Sequence, residues 1–103
     1  MQTQIFAQGI TVPDPLKSYI EKTLATQLEH FAARLTRVEV HLKDQNSKRK
    51  NGVDKHCLIE ARPRGLDPIA AEHDASEWKV AVHEAVLKLE RALHHKIDKE
   101  KNH

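Results

Sequence analysis

Residues 35–43, LTRVEVHLK, alternate strictly between apolar and polar side chains over most of their length. The apolar positions are Val38, Val40 and Leu42, and the polar positions are Arg37, Glu39, His41 and Lys43. Successive side chains of an extended chain point to opposite sides, so this pattern predicts a β-strand with one buried and one solvated face.

The segments around this strand predict three more strands. Residues 55–63, KHCLIEARP, alternate in the same way, with Cys57, Ile59 and Ala61 on the apolar side. The intervening DQNSKRKNGVD, residues 44–54, contains Asn-Gly and is typical of a hairpin loop longer than two residues. LDPIAAEHD, residues 66–74, follows a Pro-Arg-Gly turn, and QTQIFAQ, residues 2–8, supplies the first strand of the chain.

Helical spacing predicts a first helix between residues 15 and about 34. Its apolar residues recur every three or four positions: Leu16, Tyr19, Ile20, Leu24, Leu28 and Phe31. Asp14 followed by Pro15 is a favourable helix start, with a capping carboxylate and proline at the first helical position.

A second helix is predicted from about Glu77 to about Asp98. Asp74 and Glu77 have the spacing of a capping box, and Ser76 is a competing cap. One broad apolar stripe comprises Trp78, Ala81, Val82, Ala85, Val86, Leu89, Ala92 and Leu93. A flank of this helix carries Lys88, Arg91, His95 and Lys99, with Glu84 placed to form a local ion pair with Lys88.

This order of elements predicts an α+β fold. We expect a two-layer β-α-β-β-β-α domain whose four-stranded, mostly antiparallel sheet has both helices packed on one face. Residues 1–98 would form this single domain and residues 99–103 a basic C-terminal tail. The core would then consist of the two helical stripes and the apolar faces of the strands.

Composition and motifs exclude several classes of function. The chain of 103 residues has a net charge of +2 and one cysteine, so an internal disulfide is impossible and a reducing cytoplasm is expected. It lacks a long apolar run and the pattern of a secretion signal. Without a Cys-x-x-Cys, a His-x-x-x-His or a glycine-rich loop, it offers no metal, phosphate or cofactor motif, and Cys57 is expected to be a buried thiol. We therefore expect no cofactor and no catalysis.

Four segments resemble one protein family. They are RVEVHLKDQNS at 37–47, DKHCLIEARPRGLDPIA at 54–70, AEHD at 71–74 and KLERAL at 88–93. In this order and at these separations they resemble the ribosome hibernation-promoting factors, also called ribosome-associated inhibitors or ribosomal subunit interface proteins, in their short form. The short form lacks the C-terminal dimerisation domain of longer members.

The resemblance implies a cytoplasmic bacterial protein that binds the 30S subunit, its 16S rRNA and the 70S ribosome. Members occupy the channel for messenger and transfer RNA and block translation in starved or stationary cells. The resemblance implies no membrane partner, no small-molecule substrate and a monomer when off the ribosome.

The same resemblance indicates which cations contact RNA phosphates. Lys88, Arg91 and Lys96 match basic family positions on the second helix, and Lys22 lies close to one on the first. His95 and Lys99 share the flank of the second helix. Lys48, Arg49 and Lys50 are either phosphate contacts or a soluble hairpin tip. Departures from the family are Thr26 and Gln27 near a second family lysine, Glu77-Trp78 where the family often has methionine-tyrosine, and Val82-His83 near an acidic position.

Two other functions stay open on the sequence alone. A general double-stranded-RNA-binding module has a similar helix-strand-strand-strand-helix order. A protein-interaction module would use the open sheet face or the outward-facing Val80 and Leu87.

Overall fold

The computed structural model describes residues 1–45 and 52–101 and has the predicted order of elements. The strands are β1 (Gln2–Gln8), β2 (Leu35–Asp44), β3 (Lys55–Pro63) and β4 (Ile69–Ala75). The helices are α1 (Asp14–Gln27) and α2 (Trp78–Lys101), and a 3₁₀ turn, Glu29–Phe31, follows α1. The predicted α+β class is confirmed.

The sheet is mixed and has the strand order β1-β2-β3-β4. β1 pairs with β2 in parallel, with Ile5 opposite Val40 and Phe6 opposite His41. The other two pairs are antiparallel, as two successive hairpins require. Because β1 and β2 are parallel, the chain between them has to cross over, and α1 makes this crossover on the face that α2 also covers.

The core lies between this sheet face and the two helices. Val38, Val40, Cys57, Ile59 and Ala61 are fully buried, which confirms the predicted inward faces of β2 and β3. The buried positions of α2 are Ala81, Val82, Ala85, Val86, Leu89, Leu93 and Ile97. Ile97 extends the predicted stripe by one turn, whereas Trp78 is only half-buried at its start.

The predicted first helix is wrong at both ends. α1 ends at Gln27, and Leu28 leaves helical geometry with φ −104° and ψ 18° before the 3₁₀ turn. Leu28 and Phe31 are nevertheless buried, because a 3₁₀ turn preserves the three-residue spacing that suggested a longer helix. At the start, Pro13 is the N-cap residue, and Asp14 lies in the first turn without a side-chain capping bond.

The predicted start of α2 also needs correction. Asp74 lies within β4, where one carboxylate oxygen is 2.5 Å from Nδ1 of His56, so it does not form the proposed capping box. The carbonyl of Glu77 accepts a hydrogen bond from the amide of Ala81 at 3.0 Å, and α2 continues to Lys101, three residues beyond the expected end. Among the helices described, none is both long and apolar enough to cross a membrane.

Candidate RNA-binding surface

The second half of α2 presents four exposed basic side chains. Arg91, His95, Lys96 and Lys99 are all exposed, while Leu89, Leu93 and Ile97 from the same turns are buried against the sheet. Arg91, His95 and Lys99 follow one another on one flank at the three- and four-residue spacing that the periodicity predicts. Lys96 lies seven residues after Leu89, in line with the buried stripe, and is nevertheless exposed near the end of the helix. Within the described part of the chain, none of these four side chains has an ion-pair partner.

Lys88 differs from the other cations of α2 because it is anchored to the sheet. Its Nζ donates a hydrogen bond to the carbonyl of Glu72 at 3.2 Å and lies 3.0 Å from Nδ1 of His73. The expected ion pair with Glu84 is therefore wrong, since the lysine amine reaches across to β4 instead of along its own helix. Lys88 is still exposed, but part of its donor capacity is already used.

His73 is a residue of the sheet that contacts α2. It lies inside β4 opposite Cys57, on the face that the helices cover. The short distance to the Lys88 amine shows that its ring contributes to the link between α2 and β4. This geometry accounts for His73 as a hydrogen-bonded structural residue.

Lys22 is exposed on α1, one turn after Tyr19. Two contacts show that α1 and α2 run in the same direction. The Tyr19 hydroxyl lies 3.4 Å from the carbonyl of Lys79, near the helix starts, and the Phe31 and His94 rings meet edge to face at 4.8 Å, near the helix ends. Lys22 consequently lies beside the first half of α2, so it and the cations from Arg91 to Lys99 form an extended track rather than one cluster.

Lys48, Arg49 and Lys50, predicted as phosphate contacts or a hairpin tip, lie outside the described residues.

The fold brings together two arginines that were not predicted as site residues from the sequence, Arg34 and Arg64. Arg64 donates from Nη2 to the carbonyl of Ala33 at 2.7 Å, and Nε of Arg34 lies 3.3 Å from the Arg64 carbonyl. The signal that predicts this proximity is the pairing of β2 with β3, in which Leu35 lies opposite Pro63.

Arg34 extends the basic region towards the end of α2. It lines a surface depression together with His30, Phe31, His94, Ile97 and Asp98. Because His94 belongs to the same helical turns as the exposed basic residues of α2, Arg34 and Arg64 lie at the same end of the domain as those residues, and the Asp98 carboxylate lines the depression beside Arg34. Basic residues on this side of the domain therefore come from α1, from α2, from the segment before β2 and from the turn between β3 and β4.

The arginines on the open face of the sheet are arranged differently, because neighbouring carboxylates compensate their charge. Nε of Arg37 lies 2.9 Å from a carboxylate oxygen of Glu39, whose side chain is only 12% exposed. Arg62 lies 3.0 Å from Glu60 and 3.7 Å from Glu39. These arginines neutralise neighbouring carboxylates, so this network contributes little net positive charge to the open face of the sheet.

Cys57 occupies a fully buried position on the core face of β3. Burial raises the pKa of its thiol from 9.0 to about 12, because the thiolate loses its hydration in the core. The side chain is thus a neutral packing group at physiological pH, and its burial is what the alternation of β3 predicts.

In the described part of the chain, no three histidine, cysteine or carboxylate side chains are grouped to hold a metal ion.

Comparisons with known proteins give both a family and a fold. The family model described as sigma 54 modulation protein / S30EA ribosomal protein matches residues 3–101. No curated protein matches the chain. A ribosomal subunit interface protein from Coxiella burnetii has 18% identity and a TM-score of 0.79, covering 95% of this chain and 99% of that one. The N-terminal domain of Protein Y from Thermus thermophilus has 19% identity and a TM-score of 0.72, covering 92% and 98%. At these identities, the two structures establish the shared fold.

Proposed function

This chain belongs to the sigma 54 modulation protein / S30EA ribosomal protein family, and from that premise we propose that it binds the small ribosomal subunit through 16S rRNA. The name of the Coxiella protein, a ribosomal subunit interface protein, supports the same partner. The cations proposed to contact RNA phosphates are Arg91, Lys96, Lys99 and His95 on α2, with Lys88 and Lys22 at the margins. Lys48, Arg49 and Lys50 remain candidates from the sequence.

The observation that carries the proposal is the contrast between the cations of α2 and the arginines on the open face of the sheet. Cations on α2 lack ion-pair partners among the described side chains, whereas Arg37 and Arg62 on the sheet are held by carboxylates. An unpaired, exposed cation gains most from a phosphate, because it gives up no existing ion pair and releases counterions from the RNA. The helical side is therefore the favoured RNA-binding surface.

The activity that follows from such binding is steric inhibition of translation. A rigid two-layer domain in the messenger and transfer RNA channel would exclude both ligands without chemistry, so we propose no catalytic step and no cofactor. The protein would act in the cytoplasm of starved or stationary cells, as a monomer when it is off the ribosome.

The alternative of a general double-stranded-RNA module is less well supported. β1 is a full strand of seven residues paired in parallel with β2, so the sheet begins before α1. A helix-strand-strand-strand-helix module has no need of this strand. The family match over residues 3–101 includes it.

Sedimentation through sucrose gradients tests the proposal. The purified protein is mixed with 30S, 50S or 70S particles, and with a long RNA duplex as the control for general duplex binding. We expect the protein to move with 30S and 70S particles and to be displaced when messenger RNA and transfer RNA are bound first. Binding to the duplex and the 30S particle with equal affinity, or indifference to messenger and transfer RNA, would contradict the proposed site.

A further inference from the structure

The open face of the sheet carries an aromatic pair that the proposed phosphate contacts do not use. Phe6 and His41 lie opposite each other on β1 and β2, with ring centroids 5.0 Å apart and planes inclined by 16°. Phe6 is 44% exposed, which is unusual for a phenylalanine in a small domain whose other large apolar side chains are mostly buried. Because β1 is an edge strand, no further strand of the described residues covers the outer side of Phe6.

A depression of about 490 Å³ adjoins this pair. One side of it is formed by the stacked rings of Phe6 and His41 and by the half-buried Leu58, and Nε2 of His41 lies 3.2 Å from a carboxylate oxygen of Glu39. The next row of the sheet forms the other side and brings Gln8, Lys43 and His56 alongside, because Gln8 lies opposite Lys43 and Lys43 opposite His56. The depression thus combines flat apolar surface with an amide, an amine and an imidazole.

Charge in the depression is distributed unevenly. His56 is engaged by Asp74 at 2.5 Å and lies 3.7 Å from Glu72, so the side of the depression nearest β4 is acidic. Lys43 is exposed and has no ion-pair partner among the described residues, so the side nearest β1 favours an anion. A ligand with an aromatic face, a polar edge and an attached negative charge on one side complements this arrangement.

We propose that this depression binds an unpaired nucleobase of single-stranded RNA, which stacks against Phe6 while its phosphate contacts Lys43. Unpaired bases are recognised by stacking on aromatic side chains with hydrogen bonds to their edges, a chemistry open to all four bases. The core of a protein interface is usually depleted of charged side chains, whereas here Lys43 and His56 lie one row away from the rings. The inference deepens the proposed function, because it rests on RNA as the partner and adds a base contact on the side opposite the helices.

Fluorescence anisotropy with labelled oligonucleotides tests the proposal. The probes are an oligouridylate of about eight nucleotides, matched to typical single-strand sites, and an abasic ribose-phosphate chain of equal length. The variants are Phe6→Leu, which removes the aromatic face, and Phe6→Tyr, which restores it. Val80→Ala is the control, because Val80 is equally exposed at 44% but lies on α2.

We expect Phe6→Leu to weaken oligouridylate binding by roughly 5- to 100-fold, since one base stack contributes in that range. Phe6→Tyr and Val80→Ala should stay within about twofold of the wild type, and binding of the abasic chain should not change. An equal loss with the abasic chain, or no loss with either probe, would overturn the proposal. Amide shifts of the wild-type protein on adding oligouridylate provide a readout that needs no variant: they should centre on residues 5–8 and 41–43, and shifts confined to α2 would also overturn it.

The test of this base site and the test of the proposed function can fail independently of each other. If the wild type sediments with 30S particles but its oligouridylate binding is independent of Phe6, only the base site is wrong. A Phe6→Leu variant that loses 30S binding but keeps oligouridylate binding would show that this face contacts a ribosomal protein, and would likewise overturn the base site. If the wild type does not sediment with ribosomal particles, the proposed function is wrong, whatever the oligonucleotides show.

Discussion

Leu89→Ala tests whether α2 is held to the sheet as described. Leu89 is fully buried in the middle of the apolar stripe of α2, and its truncation removes three buried carbons. At about 0.8 kcal/mol for each carbon, the lost transfer free energy is roughly 2.4 kcal/mol. The cavity adds to this cost, so we expect a loss of about 3–4 kcal/mol in the free energy of unfolding, within the usual range of about 2–5 kcal/mol.

Urea denaturation followed by circular dichroism measures this loss, provided that the slope of the transition is unchanged. Leu87→Ala is the matched control, because it makes the same chemical change two residues away at a half-buried position. We expect the control to cost less than about 1.5 kcal/mol, as less apolar surface returns to water. A loss at Leu89 no greater than that at Leu87 would refute the assignment of the buried face of α2.

Two further predictions concern the thiol and the anchored lysine. Burial raises the pKa of Cys57 to about 12, so as the pH rises the thiol loses its proton in the unfolded chain before it does so in the folded protein. The free energy of unfolding that this burial supports is fully present below pH 9 and falls between pH 9 and 12. Relative to Cys57→Ala, the wild type should lose about 1.4 kcal/mol of unfolding free energy per pH unit in urea denaturations over this alkaline range. Parallel pH profiles of the two proteins would contradict burial of the thiol. Lys88→Gln should reduce 30S binding less than Arg91→Gln does, because the Lys88 amine already binds β4; a greater loss at Lys88 in sedimentation assays would contradict this.

The sequence predicted the parts of the fold that depend on local periodicity. Alternation placed the buried faces of β2 and β3 correctly, including Cys57 and Ile59, because a strand has only two faces and a one-residue error would reverse both. The apolar stripe of α2 was equally clear over several turns. The end of α1 was not, since Leu28 and Phe31 fit both an α-helix and a 3₁₀ turn by their spacing.

Features that depend on pairing between distant strands were harder to predict. Arg34 and Arg64 are brought together by the register of β2 and β3, which neither local sequence specifies. Asp74 resembled a helix cap by its spacing to Glu77, but its partner is His56 on the neighbouring strand. The exposed flank of α2 could be predicted because it follows from one helix alone, whereas the Phe6–His41 pair required the parallel register of β1 with β2.

The salt dependence of 30S binding tests the central claim most directly, namely that cations of α2 contact RNA phosphates. The test variant carries Arg91→Gln and Lys96→Gln, and the control carries Arg37→Gln and Arg62→Gln, which remove the same charge from the open sheet face. Thermal melts confirm that each variant is folded. We predict that the α2 variant binds more weakly and that its log–log salt slope falls by about two units, roughly one for each lost phosphate contact, while the control keeps the wild-type slope. A folded α2 variant with wild-type affinity and slope, or an equal reduction of the slope in the control, would contradict the account.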